Sequence, residues 1–348
     1  MKDKNSNIEV LKIICMINII VHHSFAHSIL QIDLSNINFI ILYVINIFGK
    51  ISNNIFILIT GYFMINKKIK PMHIVKIVLE TWFYSYVILI ISALVFKKIN
   101  IDDVINSLVP ILSNSEWFVT DYILLYLSIP IINKMIKIIN EKEYKYIISF
   151  CVIVFSILPT IKLLEGYFSS YIWFIILYLI GGYLRINNDS CKELIEKSNI
   201  LAPLLGIVII GIMISCIKFR LMTIESNNFV FLIFSISVLG IFIKREGFSN
   251  KIINSISSSV LGIYLIHDNV ILRKKIWEFF DINTHLKSES FFLYEIMVVI
   301  TIFFICLVID QIRIHLIEKP VLKRIDFLIK KYSKREENKI VLKKECQI

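Results

Sequence analysis

The stretch Glu9–His27, EVLKIICMINIIVHHSFAH, is a nearly unbroken apolar run that opens with an acid and a base and closes with three histidines. A run of about 20 apolar residues is what an α-helix needs to cross the hydrocarbon core of a bilayer. A plain anchor requires none of these ionisable groups, and inside a membrane such groups are costly enough to mark a functional site. At about 100° per residue, Glu9, Lys12, Met16, His23 and His27 fall within about 60° of one another, Asn18 lies opposite, and His22 is turned away by about 100°. One helix stripe therefore carries an acid–base pair at one end and two imidazoles at the other.

The rest of the chain supports a membrane setting. Of its 348 residues 57% are hydrophobic and 19% are charged, and the mean hydropathy is +0.74. Soluble domains carry about 25% charged residues. Here the charges cluster between long apolar runs, so the expected fold is all-α: a polytopic integral membrane protein of about ten transmembrane helices. The spans fall at roughly 8–30, 43–65, 72–96, 117–138, 144–161, 169–185, 200–217, 228–244, 256–273 and 290–313. Within the second, Gly49-Lys50 interrupts the apolar character and suggests a break or a bent start. Residues 1–322 read as the transmembrane domain, and residues 323–348 as a basic, partly amphipathic tail lying along the inner leaflet.

Loop charges give the orientation. Placing the N-terminus in the cytoplasm leaves only ten of the 38 basic residues outside: Lys50, Lys97, Lys98, Lys162, Lys218, Arg220, Arg273, Lys274, Lys275 and Lys287. Lys and Arg are retained on the cytoplasmic side, so N-in, C-in is expected. The net charge of +11 is then a topology signal, and no nucleic-acid partner is expected. The six cysteines are scattered with no C-x-x-C pair, which points to neither a zinc site nor a disulfide framework.

Chemistry should concentrate on the first helix. Burial with no acid nearby would keep His23 neutral, and a neutral imidazole can serve as a general base toward an alcohol. His23 and His27 have the i, i+4 spacing of zinc ligands, but no third ligand follows at a convincing spacing, so no metal is expected. Glu116 and Asp121 are candidates to shape an acceptor pocket. Trp117 taken alone reads better as an interfacial aromatic. Tyr264 and His267, at i, i+3, share a helix face. Glu80 and Asp310 read as structurally paired acids, while His73, His285 and His315 carry no signal.

The segment NIEVLKIICMINIIVHHSF resembles the opening helix of the membrane acyltransferase 3 family, bacterial O-acyltransferases that decorate surface glycans. That family has an acid followed fourteen residues later by a histidine, here Glu9 and His23, with Lys12 where arginine is usual. NNIFILITGYFMI resembles its second-helix motif, with Thr60 in place of serine. EWFVTDYILLYLSIPIIN resembles its Trp-Phe…Pro helix, INSISSSVLGIYLIHDNV its Gly-x-Tyr-Leu-x-His helix, and IEKPV follows the last span.

The resemblance, which covers residues 5 to about 322, implies an O-acyltransferase of the bacterial plasma membrane. Its co-substrate would be acyl-CoA, acetyl-CoA in the usual case, with no permanently bound cofactor. Its acceptor would be a hydroxyl of an extracytoplasmic or lipid-linked glycan. His23 and Glu9 would be the catalytic residues, with His23 as general base or as the nucleophile of an acyl-histidine intermediate. Lys12, Lys76 and Arg185 would hold the phosphate-rich donor head, since phosphates favour cationic partners. Glu116, Trp117, Asp121, Tyr264 and His267 would face the substrate. The alternative from another class is a glycan exporter that makes no bonds. A sensor without turnover has no feature in its favour.

Overall fold

The computed structural model describes residues 5–28, 35–96, 100–113, 115–164, 169–219 and 224–325. The expected inner-leaflet tail lies almost wholly outside them. All regular structure among the described residues is helical. In chain order the helices are α1 Ser6–Ser28, α2 Ile37–Met64, α3 Pro71–Phe96, α4 Ile101–Leu108, α5 Trp117–Ile136 and α6 Glu141–Val152. A π-helical turn then leads into α7 Leu158–Thr160, followed by α8 Ser170–Ile186, α9 Asn188–Phe219 and α10 Phe229–Ile243. The last group is α11 Lys251–Ser258, α12 Val260–His267, α13 Leu272–Phe280, α14 Ile282–His285 and α15 Phe291–Arg313.

Among the described residues, seven helices are long and apolar enough to cross a membrane. An eighth crossing arises if α11–α12 and α13–α14, bent by 88° at Asp268–Ile271, form one broken span. Two shorter apolar helices, α8 and α10, add to these. Each of the ten segments marked in the sequence falls on one of these helices. Their outward faces carry large exposed apolar side chains, for example Ile90, Leu94, Ile131, Phe304 and Val308. That is the surface a bilayer solvates and water does not.

Two apolar clusters fill the interior. One is built around Leu58, Trp173, Tyr178 and Phe231, the other around Ile20, Phe39, Ile263, Trp277 and Phe291. In lipid the hydrophobic effect contributes little between helices, so close contact and internal hydrogen bonds hold the bundle. α2 and α8 cross with their backbones in contact: a Cβ on Gly61 would meet the Tyr178 carbonyl, and one on Gly181 the Leu58 carbonyl. Beside this crossing Trp173 Nε1 donates to Asn54 Oδ1 at 2.9 Å, and the Tyr178 hydroxyl donates to Asn133 Oδ1 at 2.7 Å.

The break anticipated at Gly49-Lys50 is absent, and α2 runs through both residues. The glycine leaves room for a neighbour. The space a Cβ would take is filled by the His22 side chain of α1, with the Asn18 carbonyl 3.1 Å away. Lys50 reaches the distal loop and donates to the Ile224 carbonyl at 2.6 Å and to Glu225 at 3.1 Å.

A buried ion cluster ties α15 to α3. Arg313, 5% exposed, bonds Asp310 at 2.7 Å, Glu80 at 2.8 Å and Glu318 at 2.7 Å. Tyr84 donates to the same Asp310 at 2.7 Å. The structural pairing expected for Glu80 and Asp310 is therefore present. Its cation, Arg313, is the last residue of the final span read from the sequence.

Candidate active site

The polar stripe of α1 packs along α11 and α12. At the proximal end, where the chain begins, Glu9 pairs with Lys12 at 2.9 Å and accepts the Ser257 hydroxyl at 2.5 Å. Ser6 and Asn7 fasten the same end. The Ser6 hydroxyl donates to Asn254 at 2.9 Å, and the Asn7 amide donates to the Glu246 carbonyl at 2.7 Å. At the distal end His23 and His27 meet His267 and Asp268, the last residue of α12 and its C-cap. His22 faces α2 instead, with Nδ1 3.1 Å from the Asn46 carbonyl. The helical phasing read from the sequence holds along the whole stripe.

His23 Nδ1 lies 2.9 Å from His267 Nε2, and His267 Nδ1 lies 2.6 Å from the Ile263 carbonyl. A carbonyl oxygen only accepts, so His267 Nδ1 carries a proton. In neutral His267 the Nε2 is then an acceptor, and His23 Nδ1 must be the donor. This chain of two bonds fixes the His23 tautomer and leaves its Nε2 with an unshared pair. His267 is completely buried and His23 is 13% exposed, so the inner imidazole is fixed while the outer one can be reached.

Asp268 supplies the charge. Its Oδ1 is 3.0 Å from His27 Nε2 and 3.6 Å from His23 Nδ1, with Arg273 at 4.0 Å. Asp268 is thus an acid beside His23 that stands 245 residues away in the sequence. Asp268 also supplies the third ligand atom that sequence spacing did not reveal: His23 Nδ1, His27 Nε2 and Asp268 Oδ1 all lie within 4.8 Å of one another. In the tautomer described, His23 Nδ1 is protonated, so it has no electron pair to give to a metal.

Aromatic rings wall the cluster. Tyr264 stands 6.3 Å from the His23 ring and 6.1 Å from that of Phe118. Glu116, just ahead of the α5 span, is 3% exposed and interacts with both Tyr264 and Asp268. Burial, reinforced by the Asp268 charge, pushes its carboxyl well above the ordinary carboxylate range. A carboxyl held neutral is a hydrogen-bond donor.

A family model described as an acyltransferase domain matches residues 5–310. The chain belongs to the acyltransferase 3 family. No curated protein and no solved structure matches it. The matched region contains every residue of the histidine cluster, and the protein is a multi-pass membrane acyltransferase.

Other residues of this acyltransferase singled out from sequence lie apart from the cluster. Glu9 is fourteen residues from His23, about 21 Å along α1, so the structure does not bring it to the histidines. Lys12 is engaged by Glu9, and Lys76 pairs with Glu318 at 2.8 Å. Arg185 lies over the Tyr62 ring, 5.1 Å from its centre, and donates to its hydroxyl at 3.2 Å. Asp121 accepts from Ser170, joining α5 to α8. Trp117, 37% exposed, packs on Phe118 and Phe174. The residues that sequence reasoning missed are Asp268 and Arg273. The signal was present: an acid directly follows His267 inside an otherwise apolar span.

Proposed function

We propose that the protein transfers an acyl group, acetyl in the first instance, from cytoplasmic acyl-CoA to a hydroxyl of an extracytoplasmic or lipid-linked cell-surface glycan, in a bacterial plasma membrane with both termini inside. The observation that carries the chemistry is the His23–His267–Ile263 hydrogen-bond chain, which leaves the pair on His23 Nε2 free for a proton. The acceptor hydroxyl oxygen attacks the thioester carbonyl carbon while its proton passes to His23 Nε2. The C–S bond of the resulting tetrahedral adduct then breaks, and the departing thiolate takes the proton back from Nε2. While His23 is an imidazolium, Asp268 at 3.6 Å offsets its charge, and both of its ring N–H groups are donors. Tyr264 and Glu116, which wall the cluster, would donate to the acceptor or to the adduct oxygen.

The test is label transfer from radiolabelled acetyl-CoA to candidate glycans by purified, reconstituted protein, wild type against His23→Ala. Loss of transfer in the variant with insertion intact is expected, because a general base contributes about 100- to 10,000-fold. Glycan movement across the bilayer without label transfer would overturn the reading in favour of an exporter.

A further inference from the structure

A cavity of about 480 Å³ opens at the proximal end of the bundle, between α11 and the π-helical turn that continues α15. Its wall includes Lys251, Lys319, His315, Gln311, Ser255 and Ser258. No acidic residue among the described ones lines it. Lys251 and Lys319 make no ion pair among the described residues, whereas Lys12 and Lys76 are both occupied by carboxylates. The walls are joined. Gln311 donates to the Ser259 hydroxyl at 2.7 Å and to the Ser255 carbonyl at 2.9 Å, and it accepts from the Ser255 hydroxyl at 3.1 Å. His315 Nδ1 donates to the Gln311 carbonyl at 2.8 Å, which fixes the ring against the wall of the cavity.

We infer that this cavity binds the phosphates of the acyl donor's nucleotide head. The inference rests on the acyl-CoA reading above and identifies the residues that recognise the donor. Two lysines with no opposing acid suit a group bearing several phosphates. Position supports the same ligand. Ser258 is next to Ser257, which holds Glu9 at the foot of the α1 stripe. From Ser258 to His267 is nine residues, about 14 Å of nearly continuous helix, comparable to an extended pantetheine arm. A head seated here would place its thioester at the level of His23.

The experiment uses the purified full-length protein and two readouts. The first is direct binding of 3′,5′-adenosine diphosphate, the phosphate-bearing part of CoA without its arm. Lys251→Ala and Lys319→Ala should each weaken it about tenfold, the usual scale for a hydrogen bond to a charged group. Lys→Arg at both positions should restore most of the affinity. The second is the preference, in kcat/KM, for acetyl-CoA over acetyl-pantetheine, which should fall in the Ala variants and recover in the Arg variants. Lysine-dependent nucleotide binding without any acyl transfer would support the site while sinking the acyltransferase reading. Unaltered nucleotide affinity in both Ala variants would overturn the site while leaving that reading intact. Lysine-dependent binding to phosphatidylglycerol vesicles with no nucleotide binding would also overturn it, assigning the cavity to a lipid headgroup.

Discussion

Replacing His267 by leucine tests the tautomer argument. The substitution keeps an apolar volume in a completely buried position and removes the acceptor 2.9 Å from His23 Nδ1. His23 keeps its place on α1, so the base remains but its proton is no longer directed. A neutral buried hydrogen bond contributes about 0.5–1.5 kcal/mol, so kcat should fall about two- to twelvefold from loss of tautomer bias alone. Removing His23 itself costs about 100- to 10,000-fold, so the two variants are separable. The assay is kcat and KM for donor and acceptor in proteoliposomes, with detergent melting temperature as the folding control. His267→Gln should recover part of kcat, because its side-chain oxygen can accept from His23 Nδ1, and a purely structural histidine would show no such ordering. If His267→Leu keeps wild-type kcat, or if Gln and Leu are equally impaired, the two-bond chain does not direct the base.

Arg313→Met should be among the most destabilising single changes, since stranding buried partners costs about 3–5 kcal/mol; the check is thermal unfolding in detergent. Gly49→Ala should lower the same midpoint, because the Cβ would collide with His22, and overpacking costs about 1–3 kcal/mol. A cysteine at Asn283 should label from outside intact cells and one at Lys251 only after permeabilisation, with the reverse pattern overturning the orientation.

What could be read from the sequence was what depends on one helix at a time. The periodicity of α1 placed Glu9, His23 and His27 on one face and His22 off it, because 3.6 residues per turn is a local property. Apolar run lengths located the spans for the same reason. Pairings over long sequence distances left no local trace. Asp268 approaches His27 across 241 residues, and Arg313 approaches Glu80 across 233. Gly49 looked like a break because composition does not reveal that a neighbouring histidine fills its missing side chain. His315 was set aside as uninformative, since its place beside Lys251 exists only once α11 and α15 lie together.

The 88° bend that follows His267 has a mechanical consequence. A straight helix transmits displacement as a stiff rod, so any shift of α13 and α14 would otherwise reach the histidine directly. Here the chain turns at Asp268, and that joint is pinned to α1 through His27. The chain beyond it leaves at nearly a right angle, while α12 keeps His267 in register with His23. The joint thus sets His267 and Asp268 against α1 at a fixed corner, with the chain turning away only after both have met their histidines.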